Sequence, residues 1–146
     1  MPQLFQTIYH STSSGPVSRP ALEELARVAG ERNAERELTG VLLYGWQNFV
    51  QLLEGTADRT FELLGRIAKD RRCQTVQVHA IRPVPRRTYD GWAMQTWHVQ
   101  ETDETFRITF AQLLLELQSD ALTPDERIDL AIKHIEEIKP TFGNAA

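Results

Sequence analysis

Val41-Leu42-Leu43-Tyr44-Gly45-Trp46-Gln47-Asn48-Phe49-Val50-Gln51-Leu52-Leu53 is the stretch that decides the fold. Its two apolar runs, Val41 to Tyr44 and Phe49 to Leu53, flank Gly45-Trp46-Gln47-Asn48, and β-prone runs so close together predict a hairpin, here with a four-residue loop. Working outward, a helical pattern stands on each side. Upstream, Leu22, Leu25, Ala26 and Ala29 recur at helical spacing behind Pro20, a residue suited to a first helical turn. Downstream of Gly55, Phe61, Leu64, Ile67 and Ala68 mark a second helix. Beyond the helices lie two more strands. Leu4 to Tyr9 is closed by the turn-forming run Ser11-Thr12-Ser13-Ser14-Gly15-Pro16, and Thr75 to Ile81 ends at Pro83 and Pro85.

The order strand, helix, hairpin, helix, strand is the split β-α-β pattern of ferredoxin-like folds. The expected architecture is α+β, a ferredoxin-like β-α-β-β-α-β sandwich with two helices on one face of an antiparallel-rich sheet. In that topology the first and third strands are neighbours, so side chains on them meet about 5 Å apart. After Glu101 the pattern is helical only. Phe106, Phe110, Leu113, Leu114 and Leu117 form one stripe. Thr123-Pro124-Asp125-Glu126 reads as a capping box, followed by a helix with Ile128, Ile132, Ile135 and Ile138 that is expected to stop at Pro140. These stripes must bury themselves on the open face of the sheet, against each other, or against a second copy of the chain.

Composition narrows the class. The chain has 146 residues, Lys+Arg 16 against Asp+Glu 20 and a net charge of -4, values of one soluble globular domain. About 70% of the unfolded surface can be buried at this length, so no metal or disulfide is needed for a core. The single Cys73 fits a reducing cytoplasm and excludes a Cys-rich zinc site. MPQLFQTIYH lacks a basic stretch followed by an apolar run, so no secretory signal is read, and no stretch approaches the roughly 20 apolar residues of a membrane span. Between Arg66 and Arg87 stand seven Arg/Lys and one Asp, which favours a local anion site but not an extended nucleic-acid surface.

Several polar residues fall where the pattern wants apolar ones. Gln51 shares a strand face with Phe49 and Leu53, and an unpaired amide there would cost about 1–3 kcal/mol. Tyr9, on the neighbouring strand, is its natural partner, and mutual satisfaction in a core is the plain interpretation. Asn33 ends the first helix, where tolerance of left-handed angles would explain it as well as ligand binding. Arg72 follows the second helix, where cations are favoured in any case. His10, His79, His98 and His134 are scattered, and no Ser-His-Asp set or phosphate-cradling glycine loop is present.

Five fragments in register carry a resemblance: Ile8-Tyr9-His10-Ser11; Asn33 with Leu38-Thr39-Gly40-Val41-Leu42-Leu43-Tyr44; Phe49-Val50-Gln51-Leu52-Leu53-Glu54-Gly55; Asp70-Arg71-Arg72; and Arg87-Thr88-Tyr89-Asp90-Gly91-Trp92-Ala93-Met94. Together they resemble a BLUF domain, a blue-light sensor, over about residues 3 to 97. The resemblance implies a ferredoxin-like fold and non-covalently bound FAD, with FMN or riboflavin as alternatives, held between the two helices. By position it makes Tyr9 the photo-oxidised tyrosine and Gln51 the glutamine bridging it to the flavin. It makes Asn33 the ligand of the ring's amide edge, Arg72 the basic residue near the other carbonyl, and Leu25, Phe49 and Ile67 the apolar sandwich, with Asp70 at the same rim. Trp92 and Met94 match a semi-mobile pair on an additional, last strand, thought to relay the signal. Two positions depart from the pattern: Cys73 stands where many members have His, and Arg32 where His or another polar residue is common.

The expected protein is therefore a short, stand-alone photoreceptor in the cytoplasm, a reversible switch and not an enzyme with turnover. Residues 1–97 would sense and residues 98–146 form a helical cap or output segment beginning near Thr102. Its partners would be flavin, a downstream signalling protein and further copies in a homo-oligomer, with no nucleic acid or membrane. The rival of another class is a flavin-free interaction module on the same fold, which would purify colourless. An acylphosphatase-like hydrolase would need Arg19 beside a phosphate-binding loop, and no glycine-rich cradle accompanies it.

Overall fold

Five strands, β1 (Leu4–Ser13), β2 (Thr39–Gly45), β3 (Asn48–Gly55), β4 (Cys73–Val84) and β5 (Gln95–His98), form one sheet in the order β4-β1-β3-β2-β5. The structure is a computed structural model that describes residues 2–99 and 104–142. Among these residues four helices complete it: α1 (Arg19–Glu35), α2 (Ala57–Lys69), α3 (Glu104–Leu117) and α4 (Pro124–Phe142). All pairings are antiparallel except that of β5 with β2. This is the expected ferredoxin-like α+β order, with the anticipated additional strand at the sheet edge.

Strand alternation divides the sheet into two functional faces. Tyr9, Leu42, Phe49 and Gln51 point toward α1 and α2, where Leu22 and Leu25 of α1 pack on Leu42, Tyr44 and Phe49. Their neighbours Ile8, Val41, Leu43, Val50 and Leu52 point the other way, into one cluster with Phe110, Leu113 and Leu117 of α3 and Ile128, Ala131, Ile135 and Ile138 of α4. Each fully buried Leu or Ile there contributes about 1.5–3 kcal/mol by leaving water. The stripes of α3 and α4 thus take two of the three destinations open to them, the sheet and each other.

Local chemistry explains the element boundaries. Ser18 caps α1 by accepting from the Ala21 amide at 3.3 Å. The expected capping box closes reciprocally at the start of α4: Thr123 N donates to Glu126 Oε1 at 2.9 Å, and Glu126 N donates to Thr123 Oγ1 at 3.1 Å. Gly40 has φ 153°, and a Cβ there would run into the Leu52 carbonyl oxygen, so β2 and β3 approach closely because this residue has no side chain.

Other boundaries differ from the sequence expectation. The hairpin loop is Trp46-Gln47, two residues rather than four, with φ 48° and 61°. Two left-handed residues give the turn that matches strand twist, and the ladder closes around them although neither is Gly or Asn. β1 continues through Ser11-Thr12-Ser13 because it is central and pairs on both sides, which outweighs local turn preference. β4 runs through Pro83 to Val84, since an edge strand can spare a donor. It carries two irregularities against β1, where Ile8 pairs with Ala80 but Tyr9 with Val78, and Thr12 with Thr75 but Ser13 with Cys73.

The helices and the last strand also need correction. α4 passes Pro140 and ends at Phe142, because a missing donor in the final turn leaves few later bonds to lose. Phe61 of α2 points outward, 56% exposed, while Thr60, Leu63, Leu64 and Ile67 face inward. Asn33 lies within α1, and the left-handed residue beyond the helix is Glu37, φ 55°. Trp92 and Met94 sit in the β4–β5 connection just before the last strand, not on it. Thr102, the expected start of the output helices, lies outside the described residues.

Candidate functional site

Between α1, α2 and the sheet lies a cavity of about 400 Å³, within the usual range for a small-molecule site. Tyr9, Leu42, Phe49 and Gln51 line it from the sheet, Leu25, Val28 and Ala29 from α1, and Leu63 and Ile67 from α2. Exposed Glu24, Arg32 and Arg72 also border it, so an apolar slot has charge at its solvent side. Its shape follows from topology: two crossovers place both helices on one face, and the short side chains at Ala21 and Ala29 leave the gap between them unfilled.

Tyr9 and Gln51 are directly opposed across β1 and β3. The Tyr9 hydroxyl donates to Gln51 Oε1, and Gln51 Nε2 donates onward to Met94 Sδ at 3.3 Å. Burial pushes the Tyr9 phenol well above its ordinary 10.0, and the neighbouring Cys73 thiol pushes it further the same way. Tyr9 is therefore a protonated donor, which fixes Gln51 with its oxygen toward the phenol. A thioether is a weak acceptor, so the second amide proton is held by a partner that a carbonyl or ring nitrogen would outcompete.

Asn33 is buried in the same cavity and donates from Nδ2 to the Ala93 carbonyl at 3.0 Å, tying α1 to the β4–β5 connection. Arg72 borders the cavity, paired with Asp70 through Nη2 to Oδ2 at 2.7 Å. Its guanidinium holds the Asp70 carboxyl below the usual carboxylate range. Cys73 lies beside Arg72 in the lining, and burial raises its thiol while a bond from Ser11 opposes that rise.

Seven sequence-predicted residues, Tyr9, Leu25, Asn33, Phe49, Gln51, Ile67 and Arg72, thus meet in one cavity, with Met94. Two do not. Asp70 reaches it only through Arg72, and Trp92 stacks on Tyr89 with centroids 5.5 Å apart and meets Trp97 edge-on at 6.3 Å. Arg19 is exposed beside Glu23 at the start of α1, away from the cavity lining. Among the described residues no group of three or more His, Cys, Asp or Glu could hold a metal, and no helix is long and apolar enough to cross a membrane.

Sequence reasoning missed Glu54, a carboxylate that is 0% exposed and bonded by four donors. It accepts from Gln6, Thr39 and the backbone amides of Thr88 and Tyr89. The signal was present in the string Phe49-Val50-Gln51-Leu52-Leu53-Glu54-Gly55: a charged residue continuing an apolar strand is buried only with a full set of partners.

Comparison with known proteins bears on the sequence and the fold. Residues 4–95 match the family described as "BLUF: Sensors of blue-light using FAD". The chain is 34% identical over 105 residues to the photoactivated adenylate cyclase subunit beta of Euglena gracilis, covering 72% of this chain and 12% of that one. It is 27% identical over 120 residues to the blue light- and temperature-regulated antirepressor BluF of Escherichia coli (strain K12), covering 81% and 28%. The chain therefore spans only a small part of the length of these curated relatives. Among solved structures, the dark state of the BLUF protein BlrB superposes with a TM-score of 0.74 at 25% identity, over 95% of this chain and 99% of that one. Sequence and fold agree, and the chain belongs to the BLUF family, the sensors of blue light that use FAD.

Proposed function

We propose that this chain is a reversible blue-light switch whose moving part is the Gln51 carboxamide. The observation that carries the reading is the hydrogen-bonded chain Tyr9–Gln51–Met94 bordering an apolar cavity. The cavity fits a flavin by the chemistry of its donors: apolar walls suit a flat aromatic ring, and the Asn33 and Gln51 amides and the Arg72 guanidinium suit its carbonyl edges. Leu25, Phe49 and Ile67 would hold the ring, with Asp70 keeping Arg72 in place.

Bound FAD supplies absorption of blue light and, once excited, an acceptor for an electron. The protein's own atoms do the rest. A tyrosine that has lost an electron becomes strongly acidic, and its proton has a ready path along the existing bond to Gln51 Oε1. Reversibility requires that the electron and a proton both return to Tyr9, so that neither the phenol nor the bound group is left changed in redox state. What persists is an amide that has turned over, or has passed a proton from nitrogen to oxygen, with its donor and acceptor edges exchanged. A donor then stands where an acceptor stood, which lowers the excitation energy of a ring carbonyl it faces and shifts absorption to the red. The deciding experiment is the visible spectrum of freshly purified protein before and after a blue flash. A flavin spectrum with a reversible red shift is expected; a colourless protein or an unshifted spectrum overturns the proposal.

Asn33→Ala tests the pocket. It removes a buried amide and frees the Ala93 carbonyl, at a cost of about 1–3 kcal/mol. Flavin retention on gel filtration is expected to fall by roughly tenfold or more, while any protein that stays loaded still photoconverts.

On this reading residues 1–97 sense and residues 98–146 carry the output, with no catalytic turnover of their own. The signal passes to a separate signalling protein, in the manner that the name of the antirepressor relative describes, whereas the cyclase relative is named as the light-activated enzyme itself. The bond from Gln51 to Met94, and the place of Trp92 between Tyr89 and Trp97, support these two as the relay. The apolar stripes that suggested a homo-oligomer are covered within the chain, so such contacts would use other surface, such as Ile108 and Leu115, 64% and 74% exposed.

A further inference from the structure

The β4–β5 connection carries Trp92 and Met94, and near its start it is gripped by a buried carboxylate. Glu54 Oε1 accepts from Thr39 Oγ1 and the Tyr89 amide, each at 2.9 Å, and Oε2 from Gln6 Nε2 at 2.9 Å and the Thr88 amide at 2.6 Å. Arg87 reinforces the grip, donating from Nη1 to the Glu54 carbonyl at 2.9 Å and from Nη2 to the Glu37 carbonyl at 2.6 Å. The sheet does not need these bonds, since Glu54 is already in register with Gln6 and Thr39. They fix the backbone at Thr88 and Tyr89, and Tyr89 in turn stacks on Trp92. Farther along, the Gly40 amide donates to the Trp92 carbonyl at 2.9 Å and Asn33 holds the Ala93 carbonyl, so the connection is tied to the sheet and to α1 on its way to Met94.

The network also runs outward. Gln6 Nε2 donates to Thr88 Oγ1 at 3.0 Å as well as to Glu54, and Gln6 Oε1 accepts from Arg82 Nε at 3.0 Å. Arg82 Nη1 reaches Asp129 Oδ1 on α4 at 2.7 Å. A connected path of charge-assisted bonds therefore joins the Met94 segment to the N-terminal half of α4 across the edge of the sheet. It is independent of the covalent route along the chain from β5 to α3.

We propose that Glu54 is a positioning residue of the photoswitch: it sets the register in which Met94 meets Gln51 and, through Gln6 and Arg82, couples that segment to Asp129 on α4. This inference rests on the switch proposed above. If Gln51 exchanges its edges, its hold on Met94 changes and the connection shifts. Thr88 and Tyr89 cannot shift without withdrawing donors from a buried charge, so Gln6 and Arg82 must readjust with them. The bistable element is the connection, and the polar path is what lets α4 register its state.

The test is hydrogen exchange by mass spectrometry on the whole, flavin-loaded chain in the dark and under blue light, with the red shift recorded on the same samples. In the unsubstituted protein, peptides from the first half of α4 should exchange differently in the two states. Arg82→Gln and Asp129→Asn should lose that difference while the red shift keeps its full amplitude. Neither residue touches the cavity, and Asp129 is exposed enough for the fold to tolerate its change. Glu54→Gln keeps the shape but cannot accept from all four donors. It should lose the same difference and relax from the lit state roughly tenfold faster. The coupling is overturned if Arg82→Gln retains the light-minus-dark difference in α4, or if the red shift occurs with no change in α4 at all. The positioning role is overturned if Glu54→Gln relaxes at the unsubstituted rate. A flavin-loaded protein that shows no red shift instead removes the switch itself.

Discussion

Gln51→Leu leaves flavin bound and abolishes the red-shifted state. The two side chains are close in size, so the floor of the cavity keeps its shape and the apolar contacts of Leu42 and Phe49 persist. What disappears is the group able to donate and accept at once. Tyr9 loses its acceptor and Met94 its donor, and no other side chain among the described residues bridges them. An orphaned buried phenol costs about 1–3 kcal/mol, partly offset by the better burial of Leu, so the protein folds. The measurement is the light-minus-dark difference spectrum, whose amplitude should fall to nothing. A shift of normal size in the variant would show that another group performs the rearrangement.

Tyr9→Phe has an equally large effect for a different reason. Phe fills the same space but carries no hydroxyl proton and is a poor electron donor, so the first event fails although Gln51 is intact. A phenol is protonated near neutrality in any case, and burial of Tyr9 extends that form to more alkaline media, so the native donor does not depend on pH there. The variant should retain flavin, fluoresce longer after excitation because its competing donor is gone, and show no red shift. Time-resolved fluorescence on the same sample as the difference spectrum reads both. A lifetime equal to that of the native protein would remove Tyr9 from the first step. The two variants therefore separate electron donation from bond exchange: only Tyr9→Phe removes the donor itself.

Much of the fold and of the pocket was legible in the sequence. The order of periodic segments specified the sheet, and the pairing of Tyr9 with Gln51 followed because that topology makes the first and third strands adjacent. Elements were least legible where the environment overrode local preference. Ser11-Thr12-Ser13 has the composition of a turn but lies between two partner strands, and Trp46-Gln47 has no turn signature although the ladder on each side forces one. Phe61 stands at helical spacing with Leu64 and Ile67 yet points outward, because the inner face of α2 is the one that carries Thr60, Leu63, Leu64 and Ile67, and Phe61 lies about 100° round the helix from Thr60. At the site, residue types with distinctive chemistry were found, whereas Val28, Ala29 and Leu63 were not, since small and aliphatic residues line cavities and fill cores alike. Glu54 escaped because its partners Thr88 and Tyr89 are more than thirty residues away and contribute backbone amides, which no sequence pattern displays.

The two irregularities in β4, together with Pro83, have a consequence for how copies of this protein can associate. An uninterrupted outer ladder would invite a neighbouring chain to add its own strand, and a photoreceptor that polymerised that way would lock into fibres. Here the rim is broken near Gln74, His79 and Pro83, so strand-to-strand growth has no regular template there. At this rim, encounters between molecules are left to side-chain surfaces, which separate again readily, as the reversible switch proposed above requires.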